Sequence, residues 1–237
     1  MQLFFVDTNT DGKVYLSPEE AHHCLRVLRH KVGDVINATD GKGRFLKVQL
    51  ENNNEKHLEV NILEETYFEA LPYYLHIAIA PTKNADRLEW FVEKAVEIGV
   101  SEISIIHTER TERKHVNIER LYKVVQSAAK QSMKMHWTKI NELKPFKKFI
   151  AEFANDDSVT KTVAHLIEGE ERNSLAKVLQ TSKSNLVLIG PEGDFTPSEV
   201  ELALSSGFKP VSLGEARLRT ETAGVMVAAM AATVAEL

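Results

Sequence analysis

The residues best suited to chemistry gather in two short loops late in the chain. Gly190-Pro191-Glu192-Gly193 follows the apolar run 186–189, and Gly214 closes the shorter run 211–213. Glycines in such places let the backbone approach a ligand closely and offer it hydrogen bonds, although the same residues also serve as plain turns. Neither loop decides the matter alone. An earlier stretch, His22-His23-Cys24-Leu25-Arg26-Val27-Leu28-Arg29, places Arg26 and Arg29 three apart on one helix face. That face suits phosphate groups, while Leu25 and Leu28 would equally plug a barrel and ask for no ligand. His22 and His23 are neighbours that point apart on a helix, and no third ligand accompanies them, so no metal is expected.

The elements that hold the late loops are clearly marked. A run covered on both faces, stopped by glycine and proline, is the pattern of a buried parallel strand. Thr196 is an N-cap, Pro197 a first helical residue, Glu199 the partner in a capping box, and Gly207 a C-terminal stop. Further strands are expected at 75–80, 103–106 and 163–167, and amphipathic helices at 86–98 and 117–132. A last helix begins at Thr220. Strand alternating with helix predicts an α/β domain with a parallel sheet, whose ligands sit beyond the carboxyl ends of the strands.

The first seventy or so residues read differently. Short alternating runs at 3–6, 13–16, 35–39, 44–50 and 58–63, broken by Asp11-Gly12, Asp40-Gly41 and Asn52-Asn53-Asn54, predict a small β-barrel or rolled sheet. One helix interrupts it, with Ser17 as cap, Pro18 as first residue and Glu20 closing the box. The change of pattern near Glu69–Pro72 sets expected domains of 1–70 and 71–237.

Composition narrows the function. The chain of 237 residues is 43% hydrophobic, enough for a packed core. Its one cysteine, Cys24, excludes an internal disulfide and fits a reducing compartment. No leader pattern is seen, and the apolar stretch 223–235 is too short to span a bilayer, so a cytoplasmic protein away from membranes is expected. The net charge of −5 conceals two basic segments: 22–47 has six Lys and Arg against Asp34 and Asp40, and 107–148 has eleven against four glutamates. Such segments suit a polyanion or a solvated surface. There is no Gly-x-Gly-x-x-Gly after a strand, no Walker loop, no Gly-x-Ser-x-Gly elbow and no His-Glu-x-x-His helix.

Taken together, Ile189-Gly190-Pro191-Glu192-Gly193, Leu213-Gly214 and Leu218-Arg219-Thr220-Glu221-Thr222-Ala223 resemble the signature of the 16S ribosomal RNA uridine-N3 methyltransferases, a family of the knotted SPOUT class. The likeness extends to Arg87-x-Glu89, to Lys94-Ala95-x-Glu97-Ile98-Gly99-Val100, to Gln131-Ser132 and to His23-x-x-x-Val27-Leu28-Arg29. It implies an N-terminal RNA-binding barrel similar to PUA domains, a C-terminal parallel-sheet domain with a trefoil knot, S-adenosylmethionine as cofactor, and a homodimer acting on 16S RNA in the small ribosomal subunit. Rival readings are a knotted methyltransferase for another RNA site and a non-catalytic RNA-binding module.

Carried over residue by residue, the resemblance assigns the cofactor to Leu166, Ile167, Ile189, Gly190, Pro191, Glu192, Gly193, Leu213, Gly214, Leu218 and Thr222. RNA contacts fall to His23, Arg26, Arg29, Arg110, Arg113, Lys130 and Lys134. Arg219 or Arg217 would stabilise an anionic uracil ring, with Arg219 preferred, and Glu221 would take the N3 proton or orient Arg219. The chain departs from the family in three places. Asp194 stands where a second glycine is common, Ala216-Arg217 replaces Arg-Ile, and Lys130-Gln131-Ser132-Met133-Lys134 replaces Glu-Gln-Ser-Gly-Arg. Lys134 lacks the bidentate fork of the arginine it replaces.

Overall fold

The computed structural model describes residues 2–8, 12–165 and 173–236. Leu166 and Ile167, expected in the cofactor site, lie outside the described residues. The chain divides into two compact units, one of residues 1–70 with 126–137, the other of 71–125 with 138–237.

The first unit is a closed barrel of five strands, β1 (Leu3–Thr8), β2 (Val14–Leu16), β3 (Val35–Thr39), β4 (Arg44–Leu50) and β5 (Leu58–Tyr67), in the order β1-β2-β5-β4-β3. A parallel pairing of β1 with β3 closes the ring, which leaves no open sheet edge. Alternate residues point inward, and Phe4, Leu16, Leu46, Leu50 and Leu58 fill the centre. Helix α1 (Pro18–His22) begins as expected on the Ser17 hydroxyl, which accepts the Glu20 N–H. Glu20 does not close a capping box. Its carboxylate turns to the Phe5 N–H and to Lys130 instead, a charged partner outcompeting the cap amide. α1 continues into one π-helical turn, His23–Val27, after which Arg29 sits in the left-handed region at φ 63°. Cys24 is fully buried beneath this turn, and burial, with Asp34 and Glu20 adding to it, pushes its thiol up to about 11. A thiol held protonated is a small core hydrophobe, not a nucleophile.

The second unit is a seven-stranded sheet, parallel throughout, with strands β6 (Tyr74–Ile79), β7 (Glu102–His107), β8 (Lys139–Pro145), β9 (Thr160–Ala164), β10 (Asn173–Ser174), β11 (Ser184–Ile189) and β12 (Lys209–Ser212). Their order is β10-β12-β9-β11-β6-β7-β8. Helices α2 (Ala85–Ile98), α4 (Phe146–Phe153), α5 (Leu175–Thr181), α6 (Pro197–Ser205) and α7 (Thr220–Ala235) connect and cover the strands, and α3 (Ile118–Gln131) follows β7. β11 lies central and is buried from Asn185 to Ile189, matching its continuous apolar run. The Thr196–Glu199 capping box is formed in full. Gly99 ends α2 at φ 112°, where a Cβ would also strike Leu71 at 2.5 Å. Among the described residues no helix is long and apolar enough to cross a membrane.

Candidate functional site

Where β9, β11 and β12 end side by side, the chain leaves the sheet in loops that surround a cavity of about 760 Å³. Its wall is built from Ala164 and His165 after β9, from 189–194 after β11, and from 211–220 with Ala223 around the start of α7. Ile189, Gly190, Pro191, Glu192, Gly193, Leu213, Gly214 and Leu218 all face it, as do Arg217 and Arg219. Thr222 and Glu221 do not. α7 presents Thr220 and Ala223 to the cavity, three residues apart on one face, so the two residues between them turn away. Glu221 is 6% exposed and directs Oε1 toward Arg87 of α2 at 3.8 Å.

The glycine loop is held at the Gly190 and Gly193 carbonyls and at the Glu192 side chain. Thr220 Oγ1 donates to Gly190 O at 3.1 Å, joining the entrance of α7 to the end of β11. Glu192 Oε1 accepts the Lys83 N–H at 2.9 Å, and Arg110 Nη1 donates to Gly193 O at 2.7 Å. Arg113 repeats the arrangement on the loop after β6, with Nε donating to Thr82 O and Nη2 to Lys83 O at 3.1 and 2.8 Å. Arg110 and Arg113 end two copies of Thr-Glu-Arg at 108–113, and the two threonines bond each other at 2.8 Å. One tight turn thus sends two guanidinium groups to two loops, the cavity-lining loop after β11 and the loop after β6. A Cβ at Gly190 would be crowded, standing 3.1 Å from the Phe195 ring and 3.2 Å from its backbone N. Asp194 adopts φ 60° and Met133 φ 56°, so two of the positions where the family pattern has glycine are left-handed here without one.

The other expected RNA residues lie in the first unit. His23, Arg26 and Arg29 are on or beside the π-helical turn, with Arg26 Nε on Glu55 at 2.5 Å. Lys130 pairs with Glu20. Lys134 follows the left-handed Met133, and its N–H bonds Ala129 O at 2.8 Å. Arg217 and Arg219 are exposed at the cavity mouth, and among the described residues neither forms an ion pair. Sequence reasoning missed His165, 4% exposed in the cavity wall. The strand run ending at 167 pointed to this segment without singling it out.

Away from the cavity, β6, β7 and β8 carry a second polar group. His76 shares a 2.8 Å hydrogen bond with Ser104, Asn141 Nδ2 donates to Ser104 and to Glu102 Oε1, and Tyr74 and Lys139 donate to Glu102. Burial pushes the His76 imidazole down to about 4, with Lys139 and Lys144 adding to this and Glu102 opposing it.

A family model described as an RNA methyltransferase domain matches residues 69–232, and one described as an RNA methyltransferase PUA domain matches 16–63. The chain is 31% identical to ribosomal RNA small subunit methyltransferase E of Rickettsia conorii, over 88% of this chain and 84% of that protein. Among solved structures, a probable rRNA-methyltransferase from Porphyromonas gingivalis is 39% identical, covers 100% of this chain and 99% of that one, and superposes with a TM-score of 0.88. A ribosomal RNA small subunit methyltransferase E from Neisseria gonorrhoeae, bound to S-adenosyl methionine, is 26% identical over 97% and 95% of the two chains, with a TM-score of 0.82.

Proposed function

The chain belongs to the family of RNA methyltransferases, and from that premise we propose that it moves a methyl group from S-adenosylmethionine to N3 of a uridine in 16S ribosomal RNA of the small subunit. The observation that carries this reading is the cavity where β9, β11 and β12 end, walled by both glycine loops and open beside two arginines with no acidic partner among the described residues. Its volume, backbone donors and apolar Ile189, Leu213 and Leu218 fit a nucleoside cofactor. Residues 189–193 and 213–218 would hold it, together with Leu166 and Ile167, which lie outside the described residues. Bound there, S-adenosylmethionine supplies an electrophilic methyl on a sulfonium.

Uridine N3 carries a proton at neutral pH; water at the open cavity mouth takes it up, the charge spreads onto O2 and O4 of the ring, and N3 would then accept the methyl group as S-adenosylhomocysteine leaves. Arg219, directed at one of those oxygens, favours the anion, and Arg217 is placed to assist. Glu221 serves another role: it holds Arg87 against the first turn of α7. N3 is a pairing edge, so the uridine leaves its stack to react. Residues 1–70 together with 126–137 form the RNA-binding domain, with His23, Arg26, Arg29, Lys130 and Lys134 as contacts, and the rest of 71–237 forms the methyltransferase domain. Arg110 and Arg113 act first as clamps on the cofactor loops. The out-of-sequence neighbours β12, β9 and β11 support the trefoil knot. Exposed Trp90 on α2 and Met226 on α7 support a homodimer, which sedimentation of the purified protein tests.

The deciding experiment incubates the protein and labelled S-adenosylmethionine with small subunits from a strain lacking the modification. N3-methyluridine in the digested RNA is expected. Cofactor binding without that product refutes the assignment.

A further inference from the structure

The residues through which this chain resembles its family fall into two groups. Gly99, Gly190 and Ala95 have evident structural duties at a helix stop, a tight turn and a core. Gln131 has none, for its side chain is exposed and its amide bonds nothing among the described residues, and the exposed His23 ring has only the Gln2 amide and the tilted ring of Phe4 as neighbours there. Yet these two, from segments 108 positions apart, line the same cleft in the first unit.

The cleft has a volume of about 530 Å³ and is walled by Gln2, Leu3, Phe4, Glu20, His23, Lys130 and Gln131. Its chemistry differs from a basic phosphate track. Lys130 is neutralised by Glu20, whose other oxygen accepts the Phe5 N–H at 3.3 Å. The groups left facing outward are two carboxamides and an imidazole, with Gln2 Nε2 donating to His23 Nε2 at 2.8 Å. Carboxamides present paired donors and acceptors at the spacing of a base edge, and an imidazole face can stack on a base. One irregular backbone feature borders the cleft: His23, in its wall, opens the π-helical turn. Strained turns of this kind persist where they aim a side chain.

We infer that this cleft receives one unpaired nucleotide of the RNA substrate, other than the methylated uridine, and reads its base through Gln131, Gln2 and His23. It would then contribute sequence choice, while Arg26 and Arg29 contribute attraction to phosphates. The inference rests on the RNA-methylating reading and can fail separately from it.

The test measures short fluorescent single-stranded RNAs, differing at one position at a time, against wild-type protein, Gln131→Ala, His23→Ala and the near-isosteric Gln131→Glu. Affinities are taken over a salt series, and S-adenosylmethionine affinity is measured by calorimetry on the same preparations. Gln131→Ala and His23→Ala are expected to weaken the best RNA roughly tenfold and to flatten discrimination at one position, with an unchanged salt slope. Gln131→Glu should shift the preferred base at that position. Cofactor affinity stays at the wild-type value throughout. Unchanged discrimination in both alanine variants overturns the cleft, and so does a salt slope smaller by about one, which marks a phosphate contact. A wild-type protein that discriminates RNAs but binds no cofactor overturns the methyl-transfer reading and leaves the cleft standing.

Discussion

Two clusters of polar residues in the α/β unit, equally dense in hydrogen bonds, have opposite meanings. Around His76 the polar groups bond one another: imidazole, hydroxyl, carboxamide, carboxylate, phenol and ammonium are linked across β6, β7 and β8. Around Gly190 the Thr220 hydroxyl, the Lys83 main-chain N–H and the Arg110 guanidinium hold the loop, and the inner wall and two arginines are left facing a cavity. A polar group spent on its neighbours builds architecture. One held rigid but uncommitted is available to a ligand.

Mutation separates the two clusters. Arg219→Ala should lower methyl transfer by roughly a hundredfold or more while leaving the melting temperature alone, as loss of a donor to a developing anion does. Labelled transfer and thermal unfolding on one preparation check both halves, and normal turnover would place the decisive cation elsewhere. The His76 cluster should respond to pH instead. Its imidazole titrates near 4 folded against 6.5 in the open chain, so the folded state takes up fewer protons between those values. That stability is present above about 6.5 and is lost as pH falls toward 4, by up to about 3 kcal/mol. The lowered Glu102 carboxyl acts in the same direction. Urea unfolding at pH 7 and 4.5 measures the loss, and His76→Phe, stacking on Phe149 and Phe153, should flatten it.

Smaller effects sharpen the contrast. Arg110→Ala removes a charge-assisted bond behind the glycine loop and should weaken cofactor binding about tenfold, with Arg110→Lys recovering part of it. Equal affinity by calorimetry would show that the loop stands without its clamp. Met133→Gly should raise stability by about 0.5–1 kcal/mol, because a left-handed position after a helix favours glycine. Chemical denaturation resolves a change of that size.

Much of the frame was legible in the residues, because its signals are local. The apolar run of β11, the Thr196 capping box and the Gly99 stop each occupy a few consecutive positions and appear as expected. β8 escaped notice because it is an edge strand, exposed or half-exposed along its length, and shows no apolar alternation. α4 was overlooked although Phe146, Phe149, Ile150 and Phe153 recur at helical spacing over its eight residues. Glu20 misled because a capping position and an ion pair compete for one carboxylate, and the competitor lies 110 positions away. The same distance effect hid the Arg110 clamp, whose target is 83 positions downstream. Glu221, read from the sequence as a partner of Arg219, lies in the first turn of α7 on the side of Arg87.

The bond from Thr220 to Gly190 also sets an order of events during synthesis. The glycine loop leaves the ribosome thirty residues ahead of the hydroxyl that braces it. A nascent chain paused between those points holds the central strand and its turn but no fixed wall for a ligand. The cavity therefore has no finished wall until α7 has begun to fold.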